Sequence, residues 1–410
     1  MENLPSSKKI ILYLFLGFLV GSYIDKADSL LGINFYEVFD LVGLIFLNAL
    51  KMIVIPLIMS SLIYNISSFQ NSSDLSSIGL KAIAFYITTS FFAILVGITY
   101  VNIIQPGLLN GFGAANLVGL DSNQGLNSII SSQDDFSLKN FLLGIFTGNI
   151  FFSIAGGNML FIILFSIFFG LAIRSSKSQS MKIIKSFWEG VYLIFVKLMN
   201  YILFFTPYAV FCLIAKTAVN FNEDSYMIII NFIITVGLAL FTHALIIHPL
   251  ILYFFKRRVV EHFSGMSSAL LFAFSSSSSV ATIPVTTKCL VENLKHDQKK
   301  VNFIVPIGAT INMDGTALFE CVAVIFIAQL YGIDLTYVDQ FLIISLALIT
   351  SVGVAGIPSA SFVAIIVILS AVGLPFEAVG IILGIDRILD MLRTSVNVLG
   401  DSCCVCVVGK

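Results

Sequence analysis

The sequence has little charge: Lys, Arg, Asp and Glu make up 11% of its 410 residues, where a soluble protein carries about 25%. A water-facing globular surface is therefore excluded. Neither sign is in excess, with 22 basic against 23 acidic residues and no basic run, so nothing could neutralise a phosphate backbone and nucleic-acid binding is excluded too. Cysteine is sparse. Cys212, Cys289, Cys321, Cys403, Cys404 and Cys406 fall in apolar segments or near the C-terminus. They form no disulfide framework, and the last three lack a matching His or Cys cluster for zinc. Four scattered histidines (His243, His248, His262, His296) complete the soft-ligand inventory, and His243 and His248 read as core residues. Lys8 and Lys9 precede ILYLFLGFLVG without a small-residue cleavage site, which indicates a retained first span. A GxSxG, GxSG or GxGD motif is missing, which argues against an intramembrane hydrolase.

What is present is apolar length, with 58% hydrophobic residues. Apolar segments run at about 9–24, 36–67, 77–105, 141–174, 183–217, 226–255, 262–294, 301–331, 341–373 and 376–408. A span needs about 20 residues, so the longest must be tilted or broken. The fold class is an all-helical, multi-pass membrane protein.

Charge in the connectors assigns sides. Lys8/Lys9, Arg174–Lys185, Lys256–Arg258 and Lys295–Lys300 are basic and face the cytoplasm by the positive-inside rule. Asp25–Asp28, 108–137, Phe221–Asp224 and Asp334–Asp339 are acidic or nearly neutral. Two basic connectors flank 262–294, and one crossing cannot join connectors on the same side. Its middle, SSSSSVATIP (275–284), lets the backbone turn. The segment reads as a re-entrant hairpin from inside. By the same logic 341–373, broken at SVGVAGIPSAS (351–361), reads as a hairpin from outside. Two such interrupted segments point to a transport site at the membrane midplane.

Polar groups concentrate in two stretches. In 384–401, Asp386, Asp390, Arg393, Asn397 and Asp401 recur at intervals of four, three, four and four, which puts all five on one helix face. Each ion at a bilayer centre costs roughly 2.5–3.5 kcal/mol on insertion scales, so the stripe needs an ion, a polar ligand or the rest of the protein. In GATINMDGTALFE (308–320), Asn312, Asp314 and Gly315 interrupt an apolar helix. An unwound turn there frees carbonyls for a cation, and Asp314 adds a hard carboxylate. Glu320, without a basic partner in sequence, is a proton-carrier candidate. Tyr86, Thr89 and Ser90 share a helix face and, taken alone, read as packing residues.

KMIVIP (51–56), FYITTS (85–90), IIQPG (103–107), SSSSVATIPVT (276–286), NMDGTALFE (312–320), VAGIP (354–358) and DMLRTSVNVLGD (390–401) closely resemble the dicarboxylate/amino acid:cation symporter family. The resemblance implies eight transmembrane helices plus two re-entrant hairpins with inverted repeats, in an elevator-type homotrimer at the cell membrane with both termini cytoplasmic. Residues 1–76 and 138–220 would form the scaffold. Span 3 (77–107) and residues 221–410 would form the transport domain, and 108–137 an extracellular loop. The implied substrate is an acidic amino acid, L-aspartate or L-glutamate, co-transported with Na+ and without an organic cofactor.

By position, Asp390 would hold the substrate ammonium and Arg393 its side-chain carboxylate. Asn397 with Ser277, Ser278 and Ser279 would take the α-carboxylate, assisted by Thr316 and Thr394. Backbone groups from Ile357 to Ser361 would close the site. One sodium site would use carbonyls of Gly308, Asn312 and Asn397 with Asp401. A second would use carbonyls of Thr310, Ser351, Val352 and Val354. A third would use Tyr86, Thr89, Ser90, Asn312 and Asp314. Glu320 matches the position of the proton-carrying glutamate of animal members. The chain departs from the family pattern in lacking its second arginine, at Ser277 or Met391, and Arg387 is the candidate replacement. Arg393 disfavours a neutral amino acid substrate and Asp390 disfavours a C4 dicarboxylate.

Overall fold

The computed structural model describes residues 7–25, 28–30, 33–68, 73–118, 120, 149–155, 159–176, 178–219, 223–353, 361–376 and 378–408. The chain begins with α1 (Ser7–Tyr23), α2 (Phe35–Ser68) and α3 (Ser73–Ile104), followed by α4 (Ile150–Ala155), α5 (Met159–Ser175), α6 (Gln179–Phe204) and α7 (Thr206–Ala218). Then come α8 (Glu223–Thr242), a π-helical turn (His243–Ile247), α9 (His248–Phe254), α10 (Val259–Ser276) and α11 (Ser279–Lys288). The last are α12 (Gln298–Ile311), α13 (Asp314–Leu330), α14 (Tyr337–Gly353), α15 (Ser361–Ala371) and α16 (Val379–Val408). Strand is confined, among the described residues, to two-residue antiparallel pairs at Ser29–Leu30 with Ile33–Asn34 and at Leu108–Leu109 with Phe112–Gly113.

Among the described residues, six helices or continuous helix pairs are long and apolar enough to cross a membrane: α2, α3, α6, α8 through α9, α12 through α13, and α16. The apolar α1, α5, α7, α14 and α15 are shorter. The expected segment 183–217 is two helices. Pro207 stands in the first turn of α7, where a missing N–H costs nothing, so α6 stops at Phe204 and a new helix starts. Of segment 141–174, residues 141–148 lie outside the described residues, as do 119 and 121–137 of the connector before it.

Packing follows burial. Every residue of α13 is buried, whereas α6 buries only Met199 and Leu203. The buried helix packs against α3, α16, α14, α15 and α8. Helix α16 also packs against α10, α11 and α12. In the other part of the molecule α2 packs against α5, α6 and α7, and α7 against α1. The polar stripe and the interrupted helix thus meet where the molecule is most enclosed.

The serine-rich turn is tighter than the sequence implied. Ser277 (φ 51°, ψ 36°) ends α10 in the left-handed region, and Ser278 is extended and caps α11 by accepting the N–H of Ala281 at 3.2 Å. Two residues make the turn, and α10 and α11 pack on each other. Pro284 lies inside α11 rather than ending the turn. For the second interrupted segment, α14 ends at Gly353 and α15 starts at Ser361, and the helices touch. Residues 354–360, with Val354 and Ile357 among them, lie outside the described residues.

Candidate functional site

The break between α12 and α13 is two residues long. Asn312 (φ −86°, ψ 92°) and Met313 (φ −118°, ψ 48°) leave helical geometry, and Asp314 and Gly315 already belong to α13. A helix end leaves carbonyls on one side and N–H groups on the other without intrahelical partners. The fold places α16 against both. Asn397 Oδ1 accepts the Gly315 N–H at 2.8 Å, and Asn312 Nδ2 donates to the Asn397 carbonyl at 3.1 Å and to Asp401 Oδ1 at 2.9 Å. Asn397 Nδ2 donates to Thr316 Oγ1 at 3.2 Å. A side chain at Gly315 is excluded, since its Cβ would stand 2.7 Å from the Arg393 carbonyl oxygen. At Gly308 a Cβ would collide with Asp401 Oδ1 and the Tyr86 hydroxyl. Gly308 of α12, Asn312, the Tyr86 hydroxyl, the Asp401 carboxylate and the Asn397 carbonyl are therefore gathered in one small space.

The Asp314 carboxylate, wholly buried at the positive end of α13, meets two groups of partners. Ser90 Oγ donates to Oδ1 at 2.6 Å and Thr89 Oγ1 at 3.2 Å. Tyr86, one turn earlier, bonds instead to the Ile304 carbonyl at 3.4 Å. The other oxygen, Oδ2, faces His243 Nε2 at 3.3 Å and His248 Nε2 at 3.6 Å. Those two histidines, which the sequence suggested were core residues, are the functional-site candidates that it concealed.

The opposite end of the stripe is ionic. Arg393 Nη2 donates to Asp386 Oδ1 at 2.6 Å and to Asp390 Oδ1 at 2.9 Å, and its guanidinium lies 3.9 Å from the centroid of the Phe319 ring. Among the described residues its Nε and Nη1 meet no hydrogen-bond partner. Asp386 thus holds the arginine, a role the seven-residue spacing allowed but did not assign. Arg387 Nη1 stands 3.9 Å from Asp390 Oδ2, where a second cation would reinforce that carboxylate. Thr394 spends its hydroxyl on the Asp390 carbonyl at 2.8 Å.

Ser277, Ser278 and Ser279 are buried at the α10–α11 turn, on helices that pack against α16, and Ser277 Oγ meets no partner among the described residues. Ser361, the first residue of α15, is buried with its hydroxyl in the same condition. Thr310, near the end of α12, and Ser351, near the end of α14, sit on helices that touch. Ser351 Oγ donates to the Leu348 carbonyl at 3.0 Å. Val352 lies in the last turn of α14, and Val354 and Ile357 lie outside the described residues. Glu320, two turns into α13, is buried and accepts from Thr350 Oγ1 at 3.0 Å.

The six cysteines are free and buried. The remaining histidines are not scattered: Cys406 Sγ lies 3.1 Å from His296 Nε2 and 3.2 Å from His262 Nδ1, and Arg257 donates to the Cys406 carbonyl.

Residues 7–410 match the model of the sodium:dicarboxylate symporter family. The chain belongs to that family. Its members are symporters, so the polar face of α16 belongs to a multi-pass membrane transporter. The chain is 31% identical to a proton/glutamate-aspartate symporter of Escherichia coli (strain K12), over 100% of this chain and 94% of the relative. It is 33% identical to a proton/sodium-glutamate symport protein of Geobacillus stearothermophilus, over 90% and 86% respectively. It is 31% identical to excitatory amino acid transporter 3 of Mus musculus, over 94% and 82%.

Proposed function

We propose that this symporter imports L-aspartate or L-glutamate together with Na+. The observation that carries the reading is the buried Arg393, stacked on Phe319 and held by Asp386 and Asp390, with two nitrogen atoms still open. A guanidinium recognises a carboxylate, and Asp390 one turn away suits an ammonium. A zwitterion with a second carboxylate satisfies both poles. The α-carboxylate falls to Asn397 and the serines Ser277–Ser279, with Thr316 and Thr394 beside them. Ile357 to Ser361 form the outer closure.

Sodium is cargo here. One ion takes the Asp401 carboxylate with carbonyls of Gly308, Asn312 and Asn397. A second takes carbonyls of Thr310, Ser351, Val352 and Val354. A third takes Asp314 and Asn312 with Tyr86, Thr89 and Ser90. Oxygen-only sets of this kind suit a hard cation. Asn397 contacts both substrate and ion regions, so occupancy of one lowers the free energy of the other.

In this reading eight spans and two hairpins divide into a scaffold (1–76 and 138–220) and a moving transport domain (77–107 and 221–410). The scaffold assembles three copies. Both termini face the cytoplasm. The mutual packing of α1, α2 and α5–α7, which meet the rest of the molecule through α14, α15 and α16, supports this division. Uptake of labelled L-aspartate into proteoliposomes tests the reading: saturable uptake is expected under an inward sodium gradient and not under potassium or choline.

A second reading adds a proton. Glu320 is wholly enclosed, and among the described residues only Oε2 has a hydrogen-bond partner, the Thr350 hydroxyl. Glu320→Gln should leave sodium-driven uptake within about twofold and abolish any further stimulation by an inward pH gradient. Stimulation that survives in the variant would remove Glu320 from the coupling.

Arg387 is the proposed substitute for the missing second arginine, through its approach to Asp390. Removing it takes one positive charge away from Asp390, so Arg387→Ala should weaken aspartate affinity several-fold, since a close charge pair contributes up to about 1 kcal/mol. Unchanged affinity in a binding titration would show that the second arginine has no replacement.

A further inference from the structure

The second face of Asp314 has chemistry that sodium does not need. His248 Nδ1 lies 3.0 Å from the carbonyl oxygen of His243. A carbonyl only accepts, so Nδ1 carries the proton. In the neutral ring Nε2 then presents a lone pair, and it points at Asp314 Oδ2 across 3.6 Å. Among the described residues Nε2 has no hydrogen-bond partner, and both histidines and the aspartate are wholly buried. Two lone pairs facing each other in a dry interior repel unless a cation joins them. His243 Nε2 stands 3.3 Å from the same oxygen. The three ligand atoms all lie within 4.8 Å of one another.

We propose that His243, His248 and Asp314 form a buried site for a divalent transition-metal ion of the zinc class. With metal–ligand bonds of about 2.0–2.1 Å, neighbouring ligands of a tetrahedral ion stand about 3.3 Å apart, close to both His–Asp separations. Two imidazoles and one carboxylate select zinc, cobalt or nickel over sodium or calcium. Fixing the far ring nitrogen on a backbone carbonyl is the usual way a protein orients a metal-ligating histidine. The π-helical turn His243–Ile247 makes this possible by placing residues five apart on the same side, with ring centroids 4.5 Å apart. Gly400 keeps the space open: a Cβ there would stand 3.1 Å from Asp314 Oδ2 and 3.2 Å from His248 Nε2.

Because Asp314 is shared, the metal competes with the sodium proposed for Thr89, Ser90 and Asp314. That competition rests on the sodium reading; metal binding does not.

The test uses the metal-stripped, purified full chain in detergent and choline buffer. Zn2+ binding is measured by equilibrium dialysis and Co2+ binding by its visible absorption. One zinc per chain and a tetrahedral cobalt spectrum are expected. His248→Leu and His248→Gln should each lower zinc affinity by roughly a hundredfold, and Cys403→Ser with Cys406→Ser should leave it unchanged. Melting without metal, together with gel filtration, checks that each variant is folded. No zinc on the wild type, zinc retained by both folded His248 variants, or zinc lost with the cysteines would overturn the site. Added sodium should raise the apparent zinc dissociation constant. Zinc binding that is insensitive to sodium would uphold the metal site and remove Asp314 from the sodium set.

Discussion

Arg393→Ala is expected to abolish the proposed sodium-driven aspartate uptake. The guanidinium bonds both Asp386 and Asp390, and all three residues are buried. Removing one partner of a buried ion pair costs about 3–5 kcal/mol, because the other charge stays behind. Here two carboxylates lose the Arg393 contact, and in the proposed site the substrate's carboxylate loses its cation as well. Aspartate affinity should fall by at least about a hundredfold, since 1.4 kcal/mol is a factor of ten. Arg393→Lys keeps the charge but loses the planar fork and the stacking on Phe319, so it should recover only a small part. The check is a binding titration and an uptake time course on protein whose gel-filtration profile is normal. Wild-type uptake in Arg393→Ala would separate the arginine from the substrate.

Asp401→Ala has its largest effect on sodium. Asp401 Oδ1 accepts from Asn312 Nδ2, which also holds the Asn397 carbonyl, and Gly308 leaves the carboxylate no competing side chain. The substitution would remove the single carboxylate of the ion set proposed for Gly308, Asn312 and Asn397. Charge-assisted contacts contribute roughly 1.5–3 kcal/mol, so half-saturating sodium should rise about tenfold to a hundredfold. At saturating sodium, aspartate affinity should recover most of its wild-type value. An unchanged sodium dependence of uptake would place the ion elsewhere.

How far the sequence reaches depends on whether a group's partner lies on the same helix. The stripe in α16 was legible because Asp386, Asp390, Arg393, Asn397 and Asp401 follow the helical period, and the helix runs unbroken through them. The break before Asp314 was legible because Asn and Gly sit in an apolar run, although Gly315 turned out to serve close packing against Arg393 rather than the unwinding. The His243–His248 pair was not legible. Five residues of ordinary helix rotate by about 500°, which sets the two positions far apart around the axis, and only the π-helical turn brings both rings to Asp314. Thr89 and Ser90 looked like packing residues because their partner lies more than two hundred positions away. The Thr350 bond to Glu320 and the contacts of His262 and His296 with Cys406 are hidden because each partner lies on another segment of the chain. In the serine run any hydroxyl can cap a helix, so the turn was readable but its position at Ser277–Ser278 was not.

The central claim is that the face of α16 binds an acidic amino acid and sodium together. The most direct measurement is a calorimetric titration of L-aspartate into the purified chain at several sodium concentrations, with choline holding ionic strength constant. Linkage requires that sodium raise aspartate affinity by the factor by which aspartate raises sodium affinity. The expected result is negligible heat in choline and an affinity that rises steeply with sodium. Equal affinity in sodium and in choline would contradict the claim.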